Sequence, residues 1–280
     1  MTKHKGFDKY SFTGSVPTGT KIMQAGAEGI RNITLELGGK SPIIIFDDAD
    51  LKNAVKGAMM ANFFSQGQVC SNGTRVFVQN GIFDQFLKEF VKQANLMKIG
   101  DPMNEDTTVG ATISPEQAEK VLKYIDIAKK EGGKIECGGE RIMLEGNCAG
   151  GYYLSPCIVT NLTDDNTIMR EEIFGSVAAV VSFESEEEVI KRANDTIFGL
   201  AGGVFTKDLT RAHRVVGALN AGSCYINTFN LAPAEVPFGG FKMSGIGREC
   251  GTAAIEHYTQ TKTVIVEMND VDCGQLYKED

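Results

Sequence analysis

The sequence predicts an α/β fold with a largely parallel sheet. Short runs of β-branched and apolar residues alternate with longer segments whose apolar residues recur at helical spacing, which is the pattern of βαβ units. The chain has 280 residues, enough for a substantial core, and its 42% hydrophobic and 23% charged content is typical of a globular protein. The candidate strands are residues 9–13, 42–46, 74–79, 177–183, 203–206, 223–227 and 263–267.

The helices between these strands carry clear end signals. Ser114 precedes Pro115 and Gln117, which predicts an N-cap, a proline in the first turn and a capping-box partner, with Gly132 ending the helix. Ser185 opens another helix in the same way, so the acidic run 184–188 indicates a solvated helix start rather than a metal site. A third helix places six apolar residues on one face: Phe83, Phe86, Leu87, Phe90, Val91 and Ala94.

The charge balance argues against several classes of partner. A net charge of −8 and a pI near 5.1 disfavour binding to nucleic acid or to an anionic membrane. No apolar run approaches the roughly 20 residues that span a bilayer, and the basic N-terminal residues lead into no apolar stretch of the kind that a secretory signal needs. The 7 cysteines are dispersed without CxxC pairs, which favours a reducing compartment, and we expect a cytoplasmic protein.

Cys70 stands in an unusual setting for a cysteine. It lies on a polar, glycine-containing connection between an apolar helix and a strand, with amides, a hydroxyl and glycines as neighbours. Such a setting suits a thiolate with backbone N–H donors nearby. The alternative is that Cys70 is a small buried hydrophobe, as free cysteines often are. We expect it to be the most reactive of the cysteines, because Cys157 and Cys224 occupy apolar or strand settings.

Glu36 is an acid at the end of an apolar strand, followed by Gly38 and Gly39. Burial of a carboxylate in such a place raises its pKa, as is common at functional sites. The alternative is a structural acid that is paired with Lys40 or with a backbone N–H. The residues alone leave both interpretations open.

Two further segments have the chemistry of a cofactor site. Glu171 and Glu172 precede Phe174 and Gly175, so a carboxylate could bind ribose hydroxyls while the ring lies against a flat group, although a salt-bridged turn would have the same sequence. In the other segment a strand turns through Gly14 into a helix, whose first N–H groups could bind phosphate. This second pattern is not the G-x-G-x-x-G fingerprint of dinucleotide-binding folds.

Together, in this order, these segments resemble the aldehyde dehydrogenases over essentially the whole chain. The motifs are SFTGS, LELGGKSP, QGQVCSNGTRVFV, EEIFG, NDTIFGLAGGVFT and PFGGFKMSGIGRE. Within the family they look most similar to the betaine aldehyde and trimethylaminobutyraldehyde enzymes. The resemblance implies the C-terminal part of a Rossmann-type cofactor domain at 1–36, an α/β catalytic domain at 37–240, and a C-terminal return segment with an oligomerisation strand at 241–280.

The resemblance also implies a role for individual residues. Cys70 matches the nucleophile that forms a thiohemiacetal and then a thioester, and its backbone N–H matches half of an oxyanion hole. Glu36 matches the base that activates water, and Glu249 matches a charge-relay acid. The small aldehyde substrate would meet Tyr225 and Phe229. The residues that match the site for NAD, which is favoured over NADP, are Gly14, Ser15, Val16, Pro17, Gly38, Glu172 and Phe174, and those that match a monovalent-cation site for potassium are Ile30, Lys242 and Gly245.

The sequence departs from the family pattern at three positions. Ser176 stands where proline is usual, which loosens one turn without removing any chemistry. Cys250 stands where asparagine is usual, and we derive no consequence from this change. Phe229 stands where betaine-type enzymes tend to carry tryptophan, and the chain has no Trp. Aromatic faces bind quaternary ammonium groups, and tryptophan is the best of them. This departure bears on the cationic substrate class.

The matched motifs do not include those of the family's N-terminal portion. That portion carries the lysine motif for the adenosine ribose and the asparagine that completes the oxyanion hole. We therefore expect catalysis to belong to a longer, homo-oligomeric parent, and the chain alone to be poorly soluble or oligomeric and inactive with NAD. A catalytically silent remnant that acts as a binding or assembly partner is the alternative. A cofactor-independent thiol hydrolase is disfavoured, since His4, His213 and His257 fall in no matching motif.

Overall fold

The computed structural model describes residues 1–276. The helices are α1 Val16–Ala27, α2 Leu51–Phe63, α3 Phe83–Asn95, α4 Pro115–Lys130, α5 Thr167–Arg170, α6 Glu186–Asn194 and α7 Leu209–Ala218. The strands are β1 Lys9–Thr13, β2 Asn32–Glu36, β3 Pro42–Ile45, β4 Arg75–Gln79, β5 Lys134–Cys137, β6 Arg141–Ile142, β7 Tyr153–Leu154, β8 Cys157–Thr160, β9 Val177–Phe183, β10 Phe198–Gly199, β11 Ala201–Phe205, β12 Ser223–Ile226, β13 Phe241–Lys242 and β14 Gly245–Ile246. Short 3₁₀ helices cover Phe64–Gly67, Asn80–Ile82, Gly146–Cys148, Thr252–His257 and Gly274–Leu276.

The main sheet has seven strands in the order β12-β11-β3-β4-β9-β8-β5. All neighbouring pairs are parallel except β5 with β8. The predicted parallel sheet is thus confirmed, and five of the candidate strands lie in it within two residues of their predicted ends. Its inner strand β3 is buried on both faces, as parallel strands usually are. Ile44 packs with α4, α6 and α7, whereas Ile43 and Ile45 pack with α2 and α3.

In a second sheet of three strands, β1-β2-β14, Glu36 is the last residue of the central strand β2. β1 runs parallel to β2 with Thr13 opposite Glu36. β14 runs antiparallel to β2 with Gly245 opposite Glu36. The C-terminal return segment therefore joins the sheet formed by the first 36 residues, while the predicted domain boundaries stay a prediction.

The helix signals are confirmed by the capping contacts. The Ser114 hydroxyl accepts a hydrogen bond from the Gln117 N–H at 3.3 Å, and the Ser185 hydroxyl accepts one from the Glu188 N–H at 3.2 Å. The acidic start of α6 is used in ion pairs, because Glu188 binds Arg192 at 2.7 Å. On α3 the predicted apolar face is the buried one.

The strand predicted at 263–267 is not formed within the single chain, and its role in assembly stays a prediction. These residues have no regular structure in the chain, and Val264, Ile265 and Val266 are exposed. The alternating pattern is that of a strand, but a strand is stabilised by a neighbouring ladder and no described residue pairs with this segment. Among residues 1–276, none of the helices has both the length and the apolar content to cross a membrane.

Candidate active site

A cavity of about 490 Å³ lies where β1 and β2 end, beside the turn that carries Cys70. This volume falls within the range of small-molecule sites. The cavity collects candidate residues from four separate segments of the sequence. It is lined by Thr13, Gly14, Ser15, Glu36, Gly38, Gln68, Val69, Cys70, Gln117, Lys120, Glu172 and Phe174.

The turn before Cys70 depends on left-handed backbone. Ser65, Gln66 and Gly67 have φ values of 52°, 55° and 69°. A Cβ at Gly67 would lie 2.2 Å from the carbonyl carbon of Gly175, so only glycine fits there. The reversal takes the chain sharply from α2 to Cys70, and this brings the thiol to the cavity.

The Cys70 thiol is partly buried, and its surroundings oppose ionisation. Burial raises its pKa, and the nearby carboxylates of Glu172 and Glu36 raise it further. The backbone N–H groups of Ser71 and of Cys70 itself lower the pKa. The predicted N–H donors are therefore present, but the polar sequence around Cys70 did not reveal how strongly burial and the two carboxylates favour the thiol form.

Glu36 is held at the end of β2 by backbone hydrogen bonds. Its carbonyl accepts from the Gly14 N–H at 3.0 Å, and the next N–H, of Leu37, donates to the Ser244 carbonyl at 2.8 Å. The side chain is 6% exposed, and neither carboxylate oxygen has a hydrogen-bond partner among the described residues. Burial raises the Glu36 pKa to about 7, with Arg248 lowering it and Glu249 raising it. This is the ionisation range that a general base needs.

Gly38 and Gly39 allow three groups to approach closely. A Cβ at Gly38 would lie 2.1 Å from Glu172 Oε2, and one at Gly39 would lie 2.7 Å from the Cys70 carbonyl oxygen. The Gly39 N–H donates to Glu172 Oε1 at 3.3 Å. The segment after Glu36 therefore passes between the nucleophile turn and the Glu172 carboxylate.

Glu172 is not part of a salt-bridged turn. Its neighbour Arg170 pairs instead with Asp165 at 3.1 Å and with Asp195 at 2.9 Å. Burial raises the Glu172 pKa, and the Gly39 N–H together with Lys120 and Lys40 lowers it. The carboxylate lies at the cavity, where it can accept hydrogen bonds from hydroxyl groups.

The turn from β1 into α1 lies at the edge of the same cavity. Gly14 and Ser15 line it, whereas Val16 and Pro17 begin the helix. Ser15 is the N-cap residue, but its hydroxyl makes no capping hydrogen bond and donates to Thr18 Oγ1 at 3.1 Å. The N–H groups of the first turn are thus not capped by a side chain, as a phosphate site requires.

Three other predicted residues lie behind the cavity. Glu249 accepts from the Ser11 hydroxyl at 2.9 Å and from the Tyr258 hydroxyl at 3.2 Å, and its charge acts on Glu36.

Tyr225 and Phe229 are buried in the core with ring centroids 5.0 Å apart. A Cβ at Gly73 would lie 2.8 Å from the Phe229 ring, so this ring supports the nucleophile turn without lining the cavity.

The residues predicted to hold a monovalent cation are not brought together. Ile30 precedes β2 and is 96% exposed, whereas Gly245 pairs with Glu36 at the opposite end of that strand. The six residue steps from Ile30 to Glu36, most of them along β2, correspond to roughly 20 Å of extended chain. The Lys242 ammonium donates to the carbonyls of Asn194 and Thr196. The three residues thus form no single-chain site, and potassium stays a prediction.

The sequence patterns did not reveal the contribution of α4 to the cavity. Gln117 was interpreted only as a capping-box partner, but its side chain donates to the Phe174 carbonyl at 2.8 Å and lines the cavity. Lys120 follows three residues later on the same face and adds a positive charge. This i,i+3 spacing of polar residues next to an N-cap was the available signal.

Comparison with known proteins identifies the family and several relatives of the chain. The profile of the aldehyde dehydrogenase family matches residues 1–264. The 4-trimethylaminobutyraldehyde dehydrogenase of Bos taurus is 57% identical over 273 residues, which is 97% of this chain and 55% of the relative. The form B enzyme of Danio rerio is 58% identical, over 96% of this chain and 52% of the relative. The chain belongs to the aldehyde dehydrogenase family.

Solved structures show the same fold. The NAD+ complex of an aldehyde dehydrogenase from Bacillus cereus superposes with a TM-score of 0.92 at 46% identity, over 96% of this chain and 54% of that one. A P449M variant of betaine aldehyde dehydrogenase from Staphylococcus aureus, with NAD+, gives a TM-score of 0.95 at 42% identity, over 99% of this chain and 56% of that one. The chain spans about half the length of the relatives it matches.

Proposed function

We propose that the cavity is the site of NAD-dependent oxidation of an aldehyde to a carboxylic acid, with Cys70 as nucleophile and Glu36 as general base. The observation that carries the proposal is the meeting of Cys70, Glu36 and Glu172 in one cavity beside an uncapped helix start. A cysteine that acts as a nucleophile needs an adjacent base and donors for the developing oxyanion. The raised pKa of Glu36, about 7, supports a base that takes a proton from water, and the backbone N–H of Cys70 near the thiol supports a donor to the oxyanion.

In the first step, the Cys70 thiolate adds to the carbonyl carbon of the aldehyde. A carbon–sulfur bond forms, the carbonyl oxygen takes the negative charge, and the Cys70 backbone N–H donates to it. Loss of a hydride from that carbon re-forms the carbonyl and leaves a thioester on Cys70. In the last step a water attacks the thioester, Glu36 takes its proton, and the carbon–sulfur bond breaks to release the acid.

The residues at the cavity fit a nicotinamide dinucleotide. The α1 start at Gly14 and Ser15 can hold phosphate, the Glu172 carboxylate can accept from ribose hydroxyls, and the absence of a side chain at Gly38 leaves space beside that carboxylate. When bound, the nicotinamide supplies the acceptor for the hydride. NAD is favoured over NADP because the two structural neighbours described above are NAD+ complexes.

We extend the proposal to small aldehydes that carry a quaternary ammonium group. Support comes from the relatives, which are named for 4-trimethylaminobutyraldehyde and betaine aldehyde. The net charge of −8 is compatible with a cationic substrate. A cytoplasmic location and homo-oligomeric assembly stay predictions.

Acyl transfer tests the proposal without requiring the cofactor. p-Nitrophenyl acetate carries an activated acyl group, so the chain should release about one equivalent of p-nitrophenol in a burst and acetylate Cys70. Cys70→Ser should lose the burst, and Cys224→Ser is the matched control that should keep it. Acetylation at another cysteine, or a burst that survives Cys70→Ser, would remove the basis for the proposal. NADH formation with 4-trimethylaminobutyraldehyde would extend the result to the complete oxidation.

A further inference from the structure

Asn230 lies outside the cavity but contacts the turn that carries the nucleophile. Its Oδ1 accepts from the Ser71 hydroxyl at 2.8 Å, and its Nδ2 donates to Asn72 Oδ1 at 2.9 Å. Nδ2 also donates to the Met60 carbonyl of α2 at 3.3 Å. One side chain therefore joins the two residues that follow Cys70 to the helix that precedes it.

The residue type is closely specified at this position. Asn230 has a φ of 57°, in the left-handed region that asparagine tolerates better than most side chains do. Ser71 and Asn72 are 6% and 3% exposed, so their polar groups depend on partners within the protein. An amide offers both the acceptor that Ser71 uses and the donors that Asn72 and Met60 use. Glycine would share the backbone preference but make none of these bonds.

The contact matters because Ser71 directly follows the proposed nucleophile in the chain. The backbone N–H of Ser71 lowers the pKa of the Cys70 thiol. Burial and the charges of Glu172 and Glu36 act in the opposite direction, and Tyr225 also faces the thiol from β12. The orientation of Ser71 is therefore one of the few features that favour the thiolate.

We infer that Asn230 is a positioning residue: by binding Ser71, Asn72 and the end of α2, it fixes the turn that presents Cys70 Sγ. This role rests on the proposed function of Cys70 as the nucleophile. Asn230 does not line the cavity and acts only through the turn. It should therefore affect the reactivity of Cys70 rather than the binding of substrate.

The test is the pH dependence of Cys70 alkylation in the full chain. Asn230→Gly removes the side chain while keeping a backbone that glycine adopts freely. Asn161→Gly is the matched control, because Asn161 is exposed, has a φ of 56°, and donates to the distant Gly132 carbonyl. Iodoacetamide labelling of Cys70 is followed by mass spectrometry from about pH 7 to about pH 11. We expect the midpoint to rise and the rate at about pH 8 to fall about tenfold in Asn230→Gly only.

A second variant keeps the test decisive if Asn230→Gly folds poorly. Ser71→Ala deletes the hydroxyl that Asn230 accepts from and retains the backbone N–H, so it should raise the midpoint in the same direction. The double variant, with both Asn230→Gly and Ser71→Ala, should raise the alkylation midpoint little more than either single variant does. An unchanged midpoint in folded Ser71→Ala or Asn230→Gly would overturn the inference. Alkylation needs no acyl transfer, so the failure of Cys70 to take an acetyl group would remove the proposed function separately.

Discussion

At the scale of single residues, two carboxylates at the cavity raise the pKa of one thiol. Glu172 is the stronger of the two charges that raise the Cys70 pKa. We therefore expect Glu172→Gln to lower that pKa and to speed iodoacetamide labelling of Cys70 roughly three- to tenfold near neutral pH. Labelling is measured by peptide mass spectrometry.

The control for this change is the neighbouring acid. Glu171 accepts from the Tyr124 hydroxyl at 2.6 Å and is not among the charges that act on Cys70. Glu171→Gln should leave the labelling rate unchanged, and equal rates in both variants would contradict the electrostatic account. Cys157, which is buried and whose pKa burial raises to about 12, should label more slowly than Cys70 in each variant.

At the scale of elements, the site depends on how closely three backbone segments pack. Gly39→Ala would place a Cβ 2.7 Å from the Cys70 carbonyl oxygen, and a backbone atom cannot turn away as a flexible side chain can. We expect this substitution to displace the nucleophile turn and to slow acetylation by p-nitrophenyl acetate by roughly tenfold or more. The size of the p-nitrophenol burst and its rate give the measurement.

Gly217→Ala in α7 is the matched control. A Cβ there meets nothing within 4 Å, so acetylation should be unchanged and the helix should gain up to about 1 kcal/mol in the free energy of unfolding. If Gly39→Ala were acetylated as fast as this control, the close approach of Gly39 to Cys70 would not be needed for the reactivity of Cys70.

The elements that local patterns describe were predicted well. Ser114 and Ser185 cap their helices because capping involves residues three apart in the sequence, and buried strands such as β9 are marked by continuous apolar runs. The arrangement of the site was harder to predict from the sequence. The pairing of β14 with β2 at Glu36 joins residues that are far apart in the sequence. Ser65 and Gln66 are not residue types that predict the left-handed turn before Cys70. The strand predicted at 263–267 is absent from the single chain, because its pattern is local whereas a strand needs a partner.

At the scale of the whole molecule, Glu36 couples the site to stability. Its pKa rises from 4.5 to about 7 in the folded chain, so the folded state binds more protons between these values and stability falls as pH rises through them. The corresponding cost is about 3 kcal/mol above pH 7. We expect Glu36→Gln to raise the free energy of unfolding by up to this amount at about pH 8, with the gain shrinking towards pH 4.5.

Glu131 provides a control of opposite sign. Its pKa is lowered by hydrogen bonds from Thr167, so Glu131 contributes stability that is lost as pH falls through its folded-state pKa. Glu131→Gln should therefore destabilise the chain at neutral pH and have less effect in acid. Urea unfolding at a series of pH values separates the two slopes. Parallel pH dependence in both variants would contradict the burial of an ionisable Glu36.

The central claim is that Glu36 acts as the base for an acyl group on Cys70, and the lifetime of acetyl-Cys70 tests it most directly. After a pulse of p-nitrophenyl acetate, peptide mass spectrometry follows loss of the acetyl group at a series of pH values. We predict that the rate falls as pH drops below about 7, where Glu36 becomes protonated, and that Glu36→Gln traps the acetyl group at every pH. Deacylation that is equally fast in Glu36→Gln and in the unaltered chain, with the same pH profile, would contradict the account.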